Sequence, residues 1–218
     1  MKNLFKLQNA KFFALGFAVL LAAIVFSSCA SSGGTQTAQA ATKSLDNLQT
    51  AFNGESNANA KYLAYAKKAD EEGFTKAASL FRAAARAEEI HIANHAEVIR
   101  GIGANPKAEI KLPEMKTTAE NLDDSVKGET YERDTMYPQF IEQARAEGNK
   151  EALRTFNFAK IAETEHAKLY TEARAEVDKL KGGKTEYYVC PICGYTTTDA
   201  KLDKCPATLK KLKFENVD

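Results

Sequence analysis

The chain carries almost no net charge: 30 Lys and Arg stand against 29 Asp and Glu over 218 residues, a formal +1. A nucleic-acid surface needs a basic stripe with interleaved aromatics, and none is present, so no nucleic-acid partner is expected. No glycine-rich phosphate loop appears either. Long hydrophobic runs are also scarce. The one extended run, Phe12 to Phe26, would form a helix of about 22 Å, short of a hydrocarbon core of about 30 Å, which makes a permanent transmembrane helix the weaker reading. Cysteine is limited to four residues, Cys29 and a C-terminal set of three, Cys190, Cys193 and Cys205. An odd set of three argues against a full disulfide framework and for metal binding.

The apolar run follows Lys2, Lys6 and Lys11 and precedes Ser27-Ser28-Cys29. That order reads as an export signal. A Cys directly after two small residues resembles a bacterial lipoprotein box, with Phe26 where Leu, Val or Ile is commoner. The expectation is a signal peptide over 1–28, lipidation of Cys29, and a flexible Ser/Gly/Thr/Gln/Ala tether over 29–43. The protein would then be exported and held by lipid at the bacterial cell envelope, on its periplasmic or surface face.

What the chain does have is a repeat. Gly54-Glu55, Glu72-Gly73, Phe81 and Glu88-x-x-His91 return as Gly128-Glu129, Glu147-Gly148, Phe156 and Glu163-x-x-His166. The offset is 74 residues at the first pair and 75 at every later one. Each half is long enough for a helical hairpin, and a Glu followed by Glu-x-x-His in each half is the ligand pattern of a di-metal carboxylate site in a four-helix bundle.

Apolar spacing puts these residues on core-facing stripes. The first stripe runs Leu45, Leu48, Phe52, Glu55, Asn59, Tyr62, Ala66, Ala69. The second runs Phe74, Ala77, Phe81, Ala84, Glu88, His91, His95, Val98, Ile102. The third predicts Leu122, Ser125, Glu129, Glu132, Met136, Gln139, Gln143, and the fourth Ala152, Phe156, Ala159, Glu163, His166, Tyr170, Ala173, Val177, Leu180. A buried carboxylate without a partner costs several kcal/mol, and five would also repel one another. No Lys or Arg lies on the stripes near them, so two cations are the remedy. Carboxylates with one imidazole per ion suit iron, with manganese as the alternative. A single Glu on a helix is usually a solvated surface residue; seven candidate ligands in phase with the apolar seam and repeated are not. His95, one turn after His91, reads as a satisfied core residue and is left out of the ligand set.

Gly54-Glu55-Ser56 with Tyr62, the run Ala87-Glu88-Glu89-Ile90-His91, Gly128-Glu129-Thr130-Tyr131-Glu132 followed by Met136-Tyr137-Pro138, and Glu163-Thr164-Glu165-His166 resemble the rubrerythrin family over about residues 44 to 216. The resemblance implies a mainly α protein: a ferritin-like four-helix bundle over 44–182, with a long crossover from Gly101 to Pro113, and a small rubredoxin-like module over 183–218. It implies Glu55, Glu88, Glu129, Glu132 and Glu163 as carboxylate ligands and His91 and His166 as imidazole ligands of two iron ions. Glu88 and Glu163 would bridge. Glu132, opposite Ala58 in the first repeat, would exchange with His91 as the oxidation state changes. Tyr62 and Tyr137 would donate hydrogen bonds to ligand carboxylates, and a homodimer is implied.

The terminal module departs from the pattern. Cys190-Pro191-Ile192-Cys193-Gly194 looks like one rubredoxin knuckle, but Cys205-Pro206 is followed by Thr208 where the fourth Cys belongs, without the usual Gly. Three readings stand: an iron or zinc held by three Cys and an oxygen ligand, a fold without redox metal, or a fourth ligand from a partner. The function implied is reduction of hydrogen peroxide to water with electrons from an unidentified donor. The alternatives are a ferroxidase or iron-handling protein, a non-enzymatic metal-stabilised helical lipoprotein, and an electron carrier centred on the Cys module.

Overall fold

Capping side chains set where three of the four rods begin. The computed structural model describes residues 42–218; the segment expected to be an export signal, Cys29 and nearly all of the expected tether lie outside the described residues. Helix α1 (Lys43–Glu71) starts at Thr42, whose side chain accepts from Leu45 N. Helix α3 (Thr118–Tyr131) opens on a reciprocal box between Thr117 and Glu120, and α5 (Lys150–Ala175) on Asn149, which accepts from Ala152 N. Such caps satisfy amides that have no partner within the helix.

The remaining helices are α2 (Thr75–Gly101) and α4 (Tyr137–Ala146). Gly73, Gly103 and Gly148, at φ +80, +86 and +67, end α1, α2 and α4. The residue after each returns its amide to a carbonyl five back: Phe74 to Ala69 at 2.8 Å, Ala104 to Ile99 at 3.1 Å, Asn149 to Ala144 at 2.9 Å. Left-handed glycine closes a helix this way at no steric cost. The repeated Glu before two of these glycines joins the halves. Glu72 accepts from Thr118 N and its hydroxyl at 2.8 and 2.7 Å, while Glu147 accepts from Ser44 N at 3.0 Å. Each hairpin thus caps the first helix of the other, and these hydrogen bonds hold both carboxyls below their ordinary range.

The crossover between the hairpins is an extended strand of chain after Gly103. It is fastened by side-chain amides spaced four apart on α1. Gln49 pairs with Asn105 O and Lys107 N, Asn53 with Glu109 N, and Asn57 with Glu109 O and Lys111 N, at 2.7–3.1 Å. Four helical residues rise about 6 Å and two extended residues about 6.6 Å, so the two ladders stay in step.

The third rod is α3, a π-helical segment at Glu132–Met136, and α4. Tyr137 N reaches back five residues to Glu132 O. One extra residue in a helix is absorbed as such a bulge, and that residue is the change in repeat offset from 74 to 75. The bulge rotates the face of α4. Gln139 is exposed and Gln143 half-buried, while Tyr137, Ile141 and Ala144 fill the core. The stripe that carried Gln139 and Gln143 inward is therefore wrong beyond Met136.

Two apolar clusters flank a polar middle. One packs Tyr62, Phe81, Leu122 and Tyr170, with Tyr62 and Tyr170 rings 5.4 Å apart. The other packs Leu48, Ile99, Tyr137, Ile141 and Phe156. Between them lie the Glu and His side chains of the repeat.

After a 3-10 turn (Val177–Leu180), the terminal module forms an antiparallel sheet in the order β2-β1-β3, from β1 (Tyr187–Val189), β2 (Thr196–Thr197) and β3 (Glu215–Val217). It packs on α2 and α5. Arg86 of α2 grips Glu215 with two nitrogens at 2.7 and 3.1 Å. This explains why α2 buries more of its residues than α1 or α5 does. Among the described residues no helix is long and apolar enough to cross a membrane.

Candidate metal centre

Four rods aim their acids at one point. Glu55 from α1, Glu88 and His91 from α2, Glu129 from α3, and Glu163 and His166 from α5 are all essentially without solvent exposure. They form two overlapping groups, Glu55-Glu88-His91-Glu163 and Glu88-Glu129-Glu163-His166, with ligand atoms in each within 4.8 Å of one another. Glu88 and Glu163 belong to both.

Each of the shared carboxylates divides its oxygens. His91 Nδ1 lies 2.8 Å from Glu88 Oε2 and 3.0 Å from Glu163 Oε1. His166 Nδ1 lies 2.8 Å from Glu163 Oε2 and 3.7 Å from both Glu88 Oε1 and Glu129 Oε2. One oxygen of each bridging acid therefore faces each group. Glu55 Oε2, Glu88 Oε1, Glu129 Oε2, both Glu163 oxygens and His166 Nδ1 find no hydrogen-bond partner. Buried polar atoms are almost always paired, so six orphans converging in one place fit a pair of hard cations. Two ions with carboxylates and one imidazole each are the donor set of iron or manganese.

The protons agree. Burial pushes the Glu55 carboxyl well up, and Glu132, Glu88 and Glu163 add to it; burial and Glu163 push Glu129 up to about 7. Glu163 goes the other way: burial would raise it, but His91 and His166 outweigh that and hold it low. Burial would lower both imidazoles, yet the carboxylates around them, Glu163 and Glu88 at His91 and Glu129 and Glu163 at His166, keep both well above the ordinary histidine value. Without cations the cluster retains protons, and cations take their place.

The terminal module fixes which imidazole nitrogen faces the site. His91 Nε2 lies 2.9 Å from the carbonyl of Cys193, which can only accept, so Nε2 keeps a hydrogen and Nδ1 is the nitrogen that can give up its proton and offer a lone pair to a cation. His166 Nε2 lies 3.0 Å from the Thr196 hydroxyl, which itself donates to Gly194 O at 2.9 Å. Thr196 therefore accepts from His166, with the same result. Neither partner was visible in the sequence. They lie 102 and 30 residues away from the imidazoles they orient, and no local pattern marks them.

Tyr62 donates to Glu129 Oε1 at 2.6 Å and Tyr137 donates to Glu55 Oε1. Burial first, then the neighbouring acids, keep both phenols protonated. Each occupies one oxygen of its carboxylate and leaves the other orphaned. His95 stays outside both groups: its nitrogens lie 3.1 Å from Tyr137 Oη and 3.0 Å from Thr155 Oγ1, and burial lowers it to about 3. It props Tyr137. Tyr170, whose buried hydroxyl has no partner, packs beside Tyr62.

Glu132 stands on the π segment, half-buried and outside both groups. It lines, with Gly54, Lys61, Tyr62 and Gly128, a cavity of about 310 Å³. The paired glycines Gly54 and Gly128 lack side chains where α1 and α3 border this opening. Cys190, Cys193 and Cys205 form a third buried group within 4.8 Å.

A ferritin-like four-helix bundle with a buried di-metal carboxylate site and a three-cysteine rubredoxin-like module is the class these features define. Comparison with known proteins makes it narrower. The rubrerythrin family profile matches residues 46–174, and the chain belongs to that family, whose membership supports a di-iron centre here. It is 40% identical to nigerythrin of Nitratidesulfovibrio vulgaris over 163 residues, 74% of this chain and 80% of that one. It is 36% identical to Rubrerythrin-2 of Clostridium acetobutylicum over 175 residues, 78% of this chain and 94% of that one. The structure of fully reduced, all-ferrous nigerythrin superposes with a TM-score of 0.73 at 36% identity, covering 82% of this chain and 91% of that one. Desulfovibrio desulfuricans bacterioferritin, at 20% identity and a TM-score of 0.61 over 65% of this chain and 88% of that one, shares the fold.

Proposed function

We propose that the protein is a non-haem di-iron peroxidase that reduces hydrogen peroxide to water in defence against oxidative stress. The observation that carries this reading is the set of orphaned oxygens on Glu55, Glu88, Glu129 and Glu163 between two imidazoles that both present Nδ1. A ferrous pair bound there would supply two electrons, which with two protons convert one peroxide to two waters. Glu88 and Glu163, shared by both groups, would hold both ions, with Glu55 and His91 on one side and Glu129 and His166 on the other. Tyr62 and Tyr137 hold the outer carboxylates in a single orientation and keep protons close to the reacting centre. The cavity lined by Glu132 is wide enough for a molecule of peroxide's size, and Glu132 would be the carboxylate that exchanges with His91, as in the family resemblance. Apolar layers on either side exclude bulk water, which strengthens every charge interaction within.

The test is peroxide titration of the anaerobically reduced, iron-loaded protein, followed by its visible spectrum. One equivalent of peroxide should reoxidise each chain, with Glu129→Ala and Glu163→Ala losing both metal and turnover. Faster reoxidation by oxygen than by peroxide, with release of ferric iron, would favour the ferroxidase reading instead. The reading extends to an exported, lipid-anchored protein. Incorporation of a labelled fatty acid by the full chain, abolished in Cys29→Ala, would support it; equal labelling of the two would remove it.

A further inference from the structure

The family's four-thiolate iron does not fit the terminal module, because the donor set stops at three sulfurs. We infer that the module holds one thiophilic divalent ion, of the zinc or ferrous class, through Cys190, Cys193 and Cys205, with an exchangeable oxygen ligand beside Thr208 in the fourth position.

The second knuckle is folded although its sequence has lost two of its hallmarks. Gly194 N donates to Cys190 O at 2.9 Å, and Leu209 N donates to Cys205 O at 2.8 Å. Cys190 N donates to Tyr195 O at 2.9 Å, and Cys205 N to Lys210 O at 3.0 Å. The two turns match bond for bond, which puts Thr208 at the station that Cys193 occupies in the first. Leu209 stands at the station of Gly194 with φ +58, the one non-glycine residue among those described with positive φ. A left-handed backbone crowds the Cβ of leucine, so something holds the turn in a shape that its own residues oppose.

The three thiols meet where that something would bind. All are free and fully buried, Cys193 Sγ and Cys205 Sγ are 3.3 Å apart, and all three sulfurs lie within 4.8 Å. A tetrahedral ion with bonds of about 2.3 Å needs sulfurs about 3.8 Å apart, inside that range. No His, Asp or Glu among the described residues joins this group. Thr208 is half-buried, so the fourth position opens toward solvent, unlike a closed structural zinc. With three thiolates in place of four, the site carries one negative charge fewer. A bound iron would then hold its electrons differently from a rubredoxin iron, and the position would accept external ligands.

Cobalt(II) titration of the reduced, metal-free full chain tests this, because the Glu/His centre has no sulfur and gives no thiolate-to-cobalt charge-transfer band. One equivalent should produce that band, and zinc(II) should displace it. Added cyanide should change the visible cobalt spectrum. In Thr208→Cys the charge-transfer intensity should rise by about one third, and the response to cyanide should vanish. Cys205→Ser should weaken the band. Three results would overturn the inference: no thiolate band at stoichiometric cobalt, a Cys–Cys disulfide in the chain as isolated, or a Thr208→Cys variant with unchanged intensity and cyanide response.

Discussion

Replacing Gly194 by alanine should damage the metal centre from outside the bundle. A Cβ at this position would lie 2.5 Å from His91 Nε2 and 3.1 Å from Ala87 O, with the backbone at φ +77. The left-handed backbone alone costs a non-glycine residue about 1–2 kcal/mol. Since Ala87 O belongs to a helix that cannot move cheaply, the knuckle must lift, and the His91 bond to Cys193 O goes with it, worth about 0.5–1.5 kcal/mol. The sum is roughly 1.5–3.5 kcal/mol, and at about 2–4 °C per kcal/mol for a chain of this size, Tm should fall by roughly 3–14 °C. His91 would also lose the acceptor that fixes its tautomer, so iron binding on its side of the centre should weaken about 10–100-fold. Thermal unfolding with and without iron, together with the imidazole nitrogen resonances of His91, reads both effects. A Tm unchanged within error, with His91 resonances as in the parent, would refute the docking of the module on the metal centre.

Other consequences follow from the same contacts. Tyr62→Phe strands Glu129 Oε1 and Tyr137→Phe strands the Glu55 oxygen it held, each at about 1–3 kcal/mol; iron affinity and peroxide rate should drop in both while helix content, read by circular dichroism, stays put. Glu72→Ala and Glu147→Ala each remove a cap between the hairpins and should cost about 1 kcal/mol in urea unfolding. Because hydrogen bonds depress both carboxyls, their contribution is present above the ordinary carboxylate range and is lost as pH falls through the folded value, so Glu72→Gln should flatten the acid limb of the stability profile. The metal-free protein should behave in the opposite sense at higher pH. Glu129, pushed up to about 7 by burial and Glu163, binds more protons folded than unfolded, so stability should decline as pH climbs from the ordinary carboxylate range to about 7. Manganese(II) loading should remove that slope, as urea midpoints across the range would record.

The ligand constellation was legible because it obeys local rules. Glu88 and His91, and Glu163 and His166, stand three positions apart, a spacing that puts both on one helical face, and burial follows the predicted seam within α2 and α5 and at Leu48, Glu55, Tyr62, Ala66 and Ala69 of α1, with Leu45, Phe52 and Asn59 half-buried. The third rod was legible only up to Met136. A constant helical period cannot pass through a π bulge, and Gln139 and Gln143 were placed inward for that reason, although the step in the repeat offset was itself the trace of the bulge. Glu132 illustrates the same limit: its helical phase points inward, yet the π segment leaves it at the wall of the cavity beside the centre. The partners of His91 and His166 were beyond reach, since Cys193 O and Thr196 arrive only when the terminal module folds back onto α2 and α5. The retained shape of the second knuckle was equally hidden, because Thr208 and Leu209 lack every residue type that announces it.

The measurement closest to the central claim is anomalous diffraction at the iron edge from crystals of the iron-loaded protein. Two peaks about 3.5–4 Å apart, each touching Glu88 and Glu163 and each within bonding distance of one of His91 Nδ1 and His166 Nδ1, are the predicted result. A bundle with a single peak, or with its iron anywhere other than between those two glutamates, would contradict the account.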